Sequence, residues 1–524
     1  MTVGTTPQRV HLVGIGGMHM SAIARILLAW GHEVSGSDLR ASPLTDAIAS
    51  LGAKVCIGHD AANVGDVGLV VTTSAASADN PELAEARRRG ITVIKRAEMV
   101  ARLMEGKQGI CVAGSHGKST TSGLIAYILS RAGRDPTYLI GAEVADLGTN
   151  AAPGDGPQVV VEADEYDRAF LSYRPSIALV LNLEPDHLDY YKTMDALREA
   201  FQGFVANMVP GGTVVLCADS PGAMELKEHV PQAASVETYS LRHNLRLPAR
   251  RSPSAGWYAR LIREEGDKRK TSRIDPLTRN PGGTGPTGQR FEAIRYGQPF
   301  GEFSIALSGT HNVSNALGAI VVCAALGLSP AEIRGPLAEY GGVRRRFEKV
   351  GEARGILVMD DYAHHPTEIE TLAAAARQRF PERRIVALFQ PHTFARTRYL
   401  LDGPSAGLRT GFRTCFRGFD RLFLLETYAA REAIADGMTA EQLSHEVTSP
   451  RPGYFPDFES AAEGIAAELR DGDVFFTVGA GDVDCVGPMV LERLRQPSPP
   501  TPSPTRGEGA FGGSGLLPNP GGSK

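Results

Sequence analysis

The sequence of 524 residues contains no apolar run near the ~18 residues needed to cross a bilayer, which excludes a membrane-spanning protein. Its six cysteines are scattered singly without a CxxC pair, which argues against a zinc site or a disulfide framework. The 55 basic and 59 acidic residues give a net charge of −4, too balanced for a protein that coats nucleic acid. The short polar segment before Arg9 lacks the features of a signal peptide, so we expect a cytoplasmic protein.

Short apolar strands alternate with helical stretches along most of the chain, a pattern typical of mainly parallel sheets covered by helices. The hydrophobic content of 42% allows cores of normal size. At roughly 150 residues per domain, the length predicts about three domains. We therefore predict an α/β protein with a Rossmann-like first domain, a central phosphate-loop ATPase domain with a mainly parallel sheet and a Rossmann-like third domain, at residues 1–107, 108–325 and 326–496.

Three segments interrupt this alternation and lack hydrophobic periodicity. Residues 265–290 are rich in Lys, Arg, Gly, Pro and Thr, residues 403–411 break a helix-like run, and residues 497–524 contain seven prolines. Such compositions cannot bury enough apolar surface to offset the entropy lost on ordering. We therefore predict two mobile insertions and a disordered tail.

A glycine-rich turn follows the first predicted strand. Gly14, Gly16 and Gly17 open a helix, and Asp38 stands at the end of the next strand. Glycines let a backbone approach a phosphate, the helix N-terminus attracts its charge, and an acid at this distance can meet a ribose or its substitute. The turn predicts a nucleotide-type ligand. A dinucleotide dehydrogenase and a tight turn without ligand remain alternatives, since His19 occupies the third glycine position of the fingerprint.

A second glycine-rich loop, GSHGKST, joins the strand at 110–113 to the helix at 119–132. Its backbone N–H groups can cradle phosphate oxygens, while Lys118 neutralises the terminal phosphates and the Ser119 hydroxyl reaches Mg²⁺. The loop is two residues shorter than the general phosphate loop, and a glycine-rich turn with an exposed lysine is the alternative. The flanking strand and helix favour ATP binding by Gly114, Ser115, His116, Gly117, Lys118, Ser119 and Thr120.

Acidic residues follow two further predicted strands. Glu162, Asp164 and Glu165 end one strand, and Asp186 and His187 follow the next. An acid at the end of a buried strand beside a phosphate loop is well placed to hold Mg²⁺, and oxygen ligands suit Mg²⁺ better than a lone histidine does. We therefore predict a magnesium site at this edge, with His187 either a ligand or a structural residue.

Polar segments recur in the second half of the chain. They are HNVSN at 311–315, RRRFE at 344–348, DDYAHHPT at 360–367 and QPHTFARTR at 390–398. Asn312 and Asn315 can bind adenine or ribose, although Asn312 can equally cap a helix. The last two segments each follow a strand, and open α/β sheets bind ligands at the carboxyl ends of strands, so these residues are expected to converge on one cleft. Taken alone, the arginine triplet indicates a solvated patch.

As a set, these motifs resemble the Mur ligase family of peptidoglycan synthesis. Family members share the shortened phosphate loop, the acidic strand end, the DH pair, the HNxxN sequence and a run like GVRRRFE. The resemblance covers nearly all of residues 1–490 and leaves out only the Pro/Gly-rich segments. The segments that carry it are HLVGIGGMHMSAIA (11–24), EADEYDRAFL (162–171), LNLEPDHLDYY (181–191), DDYAHHPTEI (360–369) and FQPHTFARTR (389–398).

The resemblance implies an ATP- and Mg²⁺-dependent ligase of cell wall synthesis. The segments are most similar to the branch that joins L-alanine to the carboxylate of UDP-N-acetylmuramate through an acyl phosphate, so these are the expected substrates. The implied metal ligands are Ser119, Glu162 and His187. The implied contacts of ATP outside the loop are Asn312, Asn315 and Arg346. The UDP portion would bind at Gly14, Gly16, Gly17, Asp38 and Ser74. The implied catalytic residues are Lys118, His187, His364 and Arg396, of which the last two would orient the muramoyl carboxylate and the amino acid.

Two alternatives remain at this point. A sibling in the family that recycles a tripeptide onto the same UDP-sugar shares the EADEYD segment but lacks a segment like HTFARTR at 392–398. A nicotinamide-binding regulator or oxidoreductase would use the turn at 14–17 but not the phosphate loop. His19 replaces a smaller residue usual in the family. The sequence does not distinguish a monomer from a dimer, and His364 and a bound water are both candidates for a general base.

Overall fold

The computed structural model describes residues 6–73, 76–77, 79–241, 256–262, 288–403, 410–430, 432 and 437–496. Three sheets follow one another along the chain with helices packed on them, which confirms the predicted α/β class and its mainly parallel strands. Ser74, residues 265–287 of the predicted insertion, residues 404–409 and the predicted tail at 497–524 lie outside the described residues. No helix in the described part of the chain combines the length and the apolar character that a membrane crossing requires.

The first unit is a five-stranded sheet with four helices. Its strands are β1 (Arg9–Val13), β2 (Glu33–Asp38), β3 (Lys54–Ile57), β4 (Leu69–Thr72) and β5 (Thr92–Lys95), and its helices are α1 (Met18–Ala29), α2 (Pro43–Ser50), α3 (Pro81–Arg88) and α4 (Arg96–Leu103). The strand order is β3-β2-β1-β4-β5, and every pair is parallel. The carboxyl ends of all five strands therefore lie at one edge, which is where open α/β sheets bind ligands.

The central unit is a ten-stranded sheet with helices on its faces. Its strands are β6 (Gln108–Ala113), β7 (Thr137–Val144), β8 (Thr149–Ala152), β9 (Gln158–Glu162), β10 (Ile177–Val180), β11 (Thr213–Cys217), β12 (Ser235–Ser240), β13 (Trp257–Leu261), β14 (Gln289–Arg295) and β15 (Gln298–Ile305). Its helices are α5 (Lys118–Arg131), α6 (Leu188–Tyr191), α7 (Met194–Ala206), α8 (Pro221–Glu225), α9 (Thr310–Ala325) and α10 (Pro330–Glu339). The order β15-β14-β13-β12-β11-β10-β6-β9-β7-β8 places β6, β9 and β10 side by side.

Antiparallel strands extend both ends of this central sheet. The pairs β13–β14, β14–β15 and β7–β8 are antiparallel, whereas the strands between them are parallel. Gln289 and Arg290 pair with Ile305 and Ser304. These two residues therefore belong to the sheet, and the prediction that the insertion continues to residue 290 is wrong.

The third unit is a six-stranded sheet in the order β16-β17-β21-β18-β19-β20, where only the β16–β17 pair is antiparallel. These strands are β16 (Glu348–Ala353), β17 (Ile356–Asp361), β18 (Ile385–Phe389), β19 (Arg421–Leu425), β20 (Gly453–Phe455) and β21 (Val474–Val478). The helices are α11 (Pro366–Arg379), α12 (Phe394–Tyr399), α13 (Ala440–Glu446), α14 (Phe458–Glu468) and α15 (Val486–Arg495).

The second and third units join later in the chain than the predicted boundary at residue 326. Helix α10 packs on β15, α5 and α9, and Val343 forms an isolated bridge with Val144, so the central unit continues to about residue 343. The helix belongs there because it covers apolar residues of the central sheet with Ile333 and Leu337, which are fully buried.

In the arginine triplet that follows, Arg344 is exposed, but Arg345 and Arg346 are half-buried, so the solvated patch that the composition indicates is wrong for these two. Arg344 Nε lies 3.0 Å from Glu143 Oε1 in the central unit, whereas Arg345 Nε lies 3.0 Å from Asp360 Oδ2 in the third. Arg346 lies 3.5 Å from the Glu368 carboxylate. The three arginines thus contact different elements and fix the connection between the two units.

Candidate active site at the junction of three units

The phosphate loop lies at the carboxyl end of β6, between β10 and β9. Gly114 and Gly117 have positive φ values of 144° and 87°, a region that non-glycine residues rarely adopt. A Cβ on Gly114 would meet the backbone of Asn182 at 3.1 Å, so the loop has no room for a side chain there. The Asn182 Oδ1 atom accepts a 2.8 Å hydrogen bond from the His116 N–H, and its Nδ2 donates to the His116 carbonyl. This amide therefore fixes the loop from the neighbouring strand end.

Lys118, in the first turn of α5, is buried among carboxylates. Its Nζ donates to Glu165 Oε1 at 2.8 Å and to the Gly114 carbonyl at 2.6 Å. Burial lowers the pKa of Lys118, but the carboxylates of Glu165 and Glu162 outweigh burial and raise it above its ordinary value. The ammonium is therefore charged, and it lies against the Gly114 and Ser115 carbonyls of the loop.

Two groups of metal-ligand type flank this lysine. Ser119 Oγ donates to Glu162 Oε1 at 3.1 Å, so two of the three predicted metal ligands are together. His187 is not grouped with Glu162. It instead forms a second group with Glu165 and Asp186, in which the candidate ligand atoms all lie within 4.8 Å of one another. Oxygen donors dominate both groups, as Mg²⁺ prefers. The Glu165 Oε2 atom is buried without a hydrogen-bond partner among the described residues, as expected for an atom that awaits a cation.

The third unit contributes Arg396 to the same cluster. Its guanidinium lies 3.3 Å from Asp186 Oδ1 and 3.0 Å from His187 Nδ1, both in the central unit. Helix α12 carries this arginine and begins after Thr393, whose φ of 64° is rare for a β-branched residue. The rings of His364 and His392 lie 6.0 Å apart, so the two segments that we predict to converge, 360–367 and 390–398, lie side by side. That they line one ligand cleft stays a prediction.

His364 and His365 follow β17 at the same junction. His364 Nδ1 lies 3.3 Å from Glu368 Oε2, and burial lowers the pKa of His364 to about 3. His365 Nδ1 accepts from the Thr367 N–H, so the proton is on Nε2, which donates to the Pro185 carbonyl at 3.2 Å. His364 is therefore neutral beside the pocket, while His365 connects α11 to the central unit.

The remaining residues predicted to bind ATP surround the loop. Asn315 is buried, and its Oδ1 lies where a Cβ on Gly117 would come to 2.9 Å. Asn312 Nδ2 donates to the Ser308 carbonyl at 2.7 Å, so it does not cap α9 through a side-chain bond. Arg346 stacks over Tyr362 with 5.5 Å between the guanidinium carbon and the ring centroid. The described residues of the predicted ATP set thus lie around one loop or at its rim.

The glycine turn of the first unit lies at the carboxyl end of β1. The Gly16 N–H donates to Asp38 Oδ2 at 2.9 Å, which brings the predicted acid and turn together. A Cβ on Gly16 would approach that oxygen to 2.9 Å and Thr45 Cγ2 to 2.8 Å, so glycine is required. Ser74, the fifth residue predicted to bind UDP, lies outside the described residues.

A cavity of about 340 Å³ lies between the first unit and the central unit. Its lining comes from both units: Thr72, Thr73, Ala76, Leu83, Arg87, Lys95, Tyr166, Asp167 and Tyr190. Lys95 Nζ pairs with Asp167 at 3.0 Å across the gap, and Arg96 pairs with Asp164 at the same distance.

Sequence reasoning missed three acidic residues as members of the site. The sequence places Glu165 and Asp186 in the acidic cluster but indicates no role for them, and it indicates no role for Glu368 within the segment 360–369. The position of Glu368 in the first turn of α11, four residues after His364, is the signal that could have identified it. In the first turn of α1, the Nε2 atom of His19 is also buried without a hydrogen-bond partner among the described residues.

Three family models match consecutive parts of the chain. The Mur ligase family catalytic domain matches residues 9–108, the Mur ligase middle domain 112–323 and the Mur ligase glutamate ligase domain 345–481. These matches span all three sheets in chain order.

Two curated proteins named UDP-N-acetylmuramate–L-alanine ligase are similar to nearly the whole chain. The protein from Solidesulfovibrio magneticus is 40% identical over 491 residues, or 93% of this chain and 98% of the relative. The protein from Geobacter sulfurreducens is 40% identical over 493 residues with the same coverage. Neither the recycling sibling nor an oxidoreductase is favoured by this similarity.

Solved structures agree with this similarity. UDP-N-acetylmuramate–alanine ligase from Thermotoga maritima superposes with a TM-score of 0.71 at 26% identity, covering 93% of this chain and 98% of that one. A murein peptide ligase from Psychrobacter arcticus has a TM-score of 0.66 with the same coverage, and its 23% identity supports the fold alone. Because relatives at 40% identity match almost its full length, the chain belongs to the Mur ligase family.

Proposed function

We propose that this chain joins L-alanine to the carboxylate of UDP-N-acetylmuramate, with conversion of ATP to ADP and phosphate. The observation that carries the proposal is the 40% identity over 93% of the chain to proteins named for that reaction. The junction of the three units supports it, because a phosphate loop, a cluster of acidic residues and an arginine from the third unit meet there.

The first chemical step brings two anions together. A carboxylate oxygen of the sugar nucleotide attacks the γ-phosphorus of ATP, the bond to the ADP oxygen breaks, and an acyl phosphate forms. Lys118 is charged and buried, so its ammonium offsets the repulsion and stabilises the charge on the phosphoryl group in the transition state. The backbone N–H groups of the loop, held by Asn182, supply further donors.

The candidate metal ligands fit Mg²⁺ for two reasons. Most of their donor atoms are oxygens, and Glu165 Oε2 is buried without a hydrogen-bond partner among the described residues. Ser119 and Glu162 would hold one ion, and His187 with Asp186 and Glu165 offers a second set of ligands. When bound, Mg²⁺ supplies Lewis-acid stabilisation of the transferring phosphate.

The second step uses the third unit. The amine of L-alanine attacks the acyl carbon, phosphate leaves, and the amine loses a proton. Arg396, which is held by Asp186 and His187, is placed to orient the acyl group or the amino-acid carboxylate. His364 is neutral at this edge and can accept a hydrogen bond from the amine, while the proton passes to water.

Phosphate release from Mg·ATP and UDP-N-acetylmuramate tests the proposal, with L-alanine and L-Ala-γ-D-Glu-meso-diaminopimelate as parallel acceptors. Release with L-alanine alone is the expected result. Release only with the tripeptide would identify the recycling reaction instead. A binding assay with NAD, for which we expect no binding, separates both from an oxidoreductase.

A further inference from the structure

Glu368 lies in the first turn of α11 and contacts residues from several parts of the site. Its Oε1 is 3.4 Å from His116 Nδ1 in the phosphate loop and 3.5 Å from the Arg346 guanidinium. Its Oε2 accepts a hydrogen bond of 3.1 Å from the His364 N–H and lies 3.3 Å from His364 Nδ1. One carboxylate therefore contacts the central unit, the connection between units and the third unit.

Charge makes these contacts dependent on one another. The Glu368 side chain is 10% exposed, and a buried carboxylate remains ionised only beside positive charge. Burial raises the pKa of Glu368, but Arg346, His364 and His116 lower it well below its ordinary value. His116 is held in turn between Glu368 and Glu184, at 3.4 and 3.6 Å.

No other described residue is shown to contact these three parts of the site at once. His365 joins α11 to Pro185, and Arg396 joins α12 to the acidic cluster, but neither contacts the phosphate loop by a hydrogen bond or an ion pair. The ring centroids of His116 and His365 lie 4.9 Å apart, which is a contact between rings and not an ion pair. Glu368 is therefore the charged residue of the third unit that contacts His116.

We propose that Glu368 is a positioning residue that holds the phosphate loop and the third unit in one closed arrangement through His116, Arg346 and His364. It does not contact the reacting atoms. Its role is to make closure of the third unit and correct placement of the loop a single event, because the carboxylate is fully paired only when both are in place. This inference rests on the proposed function for its kinetic consequence, but its structural consequence can be tested separately.

The test compares the wild-type chain with Glu368→Gln, Glu368→Asp and a matched control, Glu370→Gln. Glu370 is two residues further along α11 and therefore on another side of the helix. Small-angle scattering with the ATP analogue Mg·AMP-PNP measures closure, and phosphate release measures kcat and the KM of each substrate. Calorimetry with UDP-N-acetylmuramate alone measures binding to the first unit.

For Glu368→Gln we expect a larger radius of gyration than wild type with Mg·AMP-PNP, and kcat/KM for ATP lower by roughly tenfold or more. Affinity for the UDP-sugar alone and the melting temperature stay close to wild type, and Glu368→Asp, which keeps the charge, recovers part of the loss. A Glu368→Gln chain that closes like the wild type with unchanged kinetic constants would overturn the proposal. If the wild type releases no phosphate with L-alanine but the scattering difference persists, the proposed function fails and the positioning role stands.

Discussion

Two buried carboxylates in this molecule, Glu82 and Glu368, organise their surroundings in different ways. Glu82 takes every partner from the first unit: Ser37 Oγ and Asn63 Nδ2 donate to it, and His11 and His59 lie within 3.6 Å. Glu368 takes its partners from two units and the segment between them.

This difference distinguishes the first unit, which we propose as the binding platform for the UDP portion, from the proposed reaction centre at the phosphate loop. The Glu82 cluster is complete whenever the first unit folds, because no partner comes from elsewhere. The clusters around Glu368 and Glu165 are complete only when the third unit lies against the central one. Because Arg396 meets the acidic residues only when the third unit lies against the central one, we expect a substrate to bind the first unit before the reaction centre is assembled.

The largest effect is expected from Lys118→Ala, which removes the cation of the reaction centre and leaves the platform intact. We expect turnover to fall by on the order of 10³-fold, since the transferring phosphoryl group loses its nearest positive charge. Calorimetry should show unchanged affinity for UDP-N-acetylmuramate. The exposed Lys227→Ala is the control, and a Lys118→Ala chain with substantial turnover would contradict the phosphate-loop assignment.

The two candidate metal sets can be distinguished within the reaction centre. Glu162→Gln and Asp186→Asn each remove one charge from one set, and loss of a ligand should raise the Mg²⁺ concentration for half-maximal activity by roughly tenfold or more. Mg²⁺ titration of phosphate release measures it. If only Glu162→Gln shifts the titration, Asp186 serves to hold Arg396 instead; if neither shifts it, both assignments are wrong.

Glu82→Ala tests the carboxylate cluster that lies within the first unit. Removing a fully buried carboxylate takes one acceptor each from the Ser37 hydroxyl and the Asn63 amide, so the first unit should lose about 2 kcal/mol of stability. At a temperature where the variant is folded, kcat should match the wild type. Denaturant unfolding and steady-state kinetics check the two parts, with Glu85→Gln on the same helix as control. A large fall in kcat would show that the platform and the reaction centre are not separable.

The smallest effect is the pH dependence of the junction. Burial lowers the pKa of His311 and His365 to about 4 and that of His364 to about 3. Below pH ~6.5 the unfolded chain binds protons that these folded histidines do not, so stability should fall as pH drops from 6.5 to about 4. Asp361, whose pKa burial raises to about 6, acts in the opposite direction, as do Asp360 and Glu165, whose pKa burial also raises.

Melting temperature measured from pH 7 to 5 checks this dependence. His365→Gln keeps a donor for the Pro185 carbonyl and cannot be protonated, so its acid slope should be smaller. At the alkaline side, burial lowers the pKa of His116 but its carboxylate neighbours raise it to about 10, and its contribution should be lost as pH rises through that value. A melting temperature that rises on acidification would contradict these assignments.

The sequence predicted the parallel parts of the fold well and the antiparallel parts poorly. Strands such as β6, β9 and β21 are continuous apolar runs buried on both faces, which is a strong signal. By contrast, β14 was partly assigned to an insertion, because it borders a Pro/Gly-rich stretch. Helix α10 was assigned to the wrong unit because its amphipathic pattern does not say which sheet it covers.

The sequence by itself determined the chemistry on offer: two glycine turns, a lysine at a helix start, acids at strand ends and a basic segment after β18. Local spacing suffices for these, since a glycine-rich loop between a strand and a helix forms from neighbouring residues. Only the tertiary structure decided which acids meet. It paired His187 with Glu165 and Asp186, and it gave Glu368 its three partners. The contact between Glu368 and His116 joins residues about 250 positions apart, and the meeting of the third unit with the central one, which no local pattern encodes, brings them together.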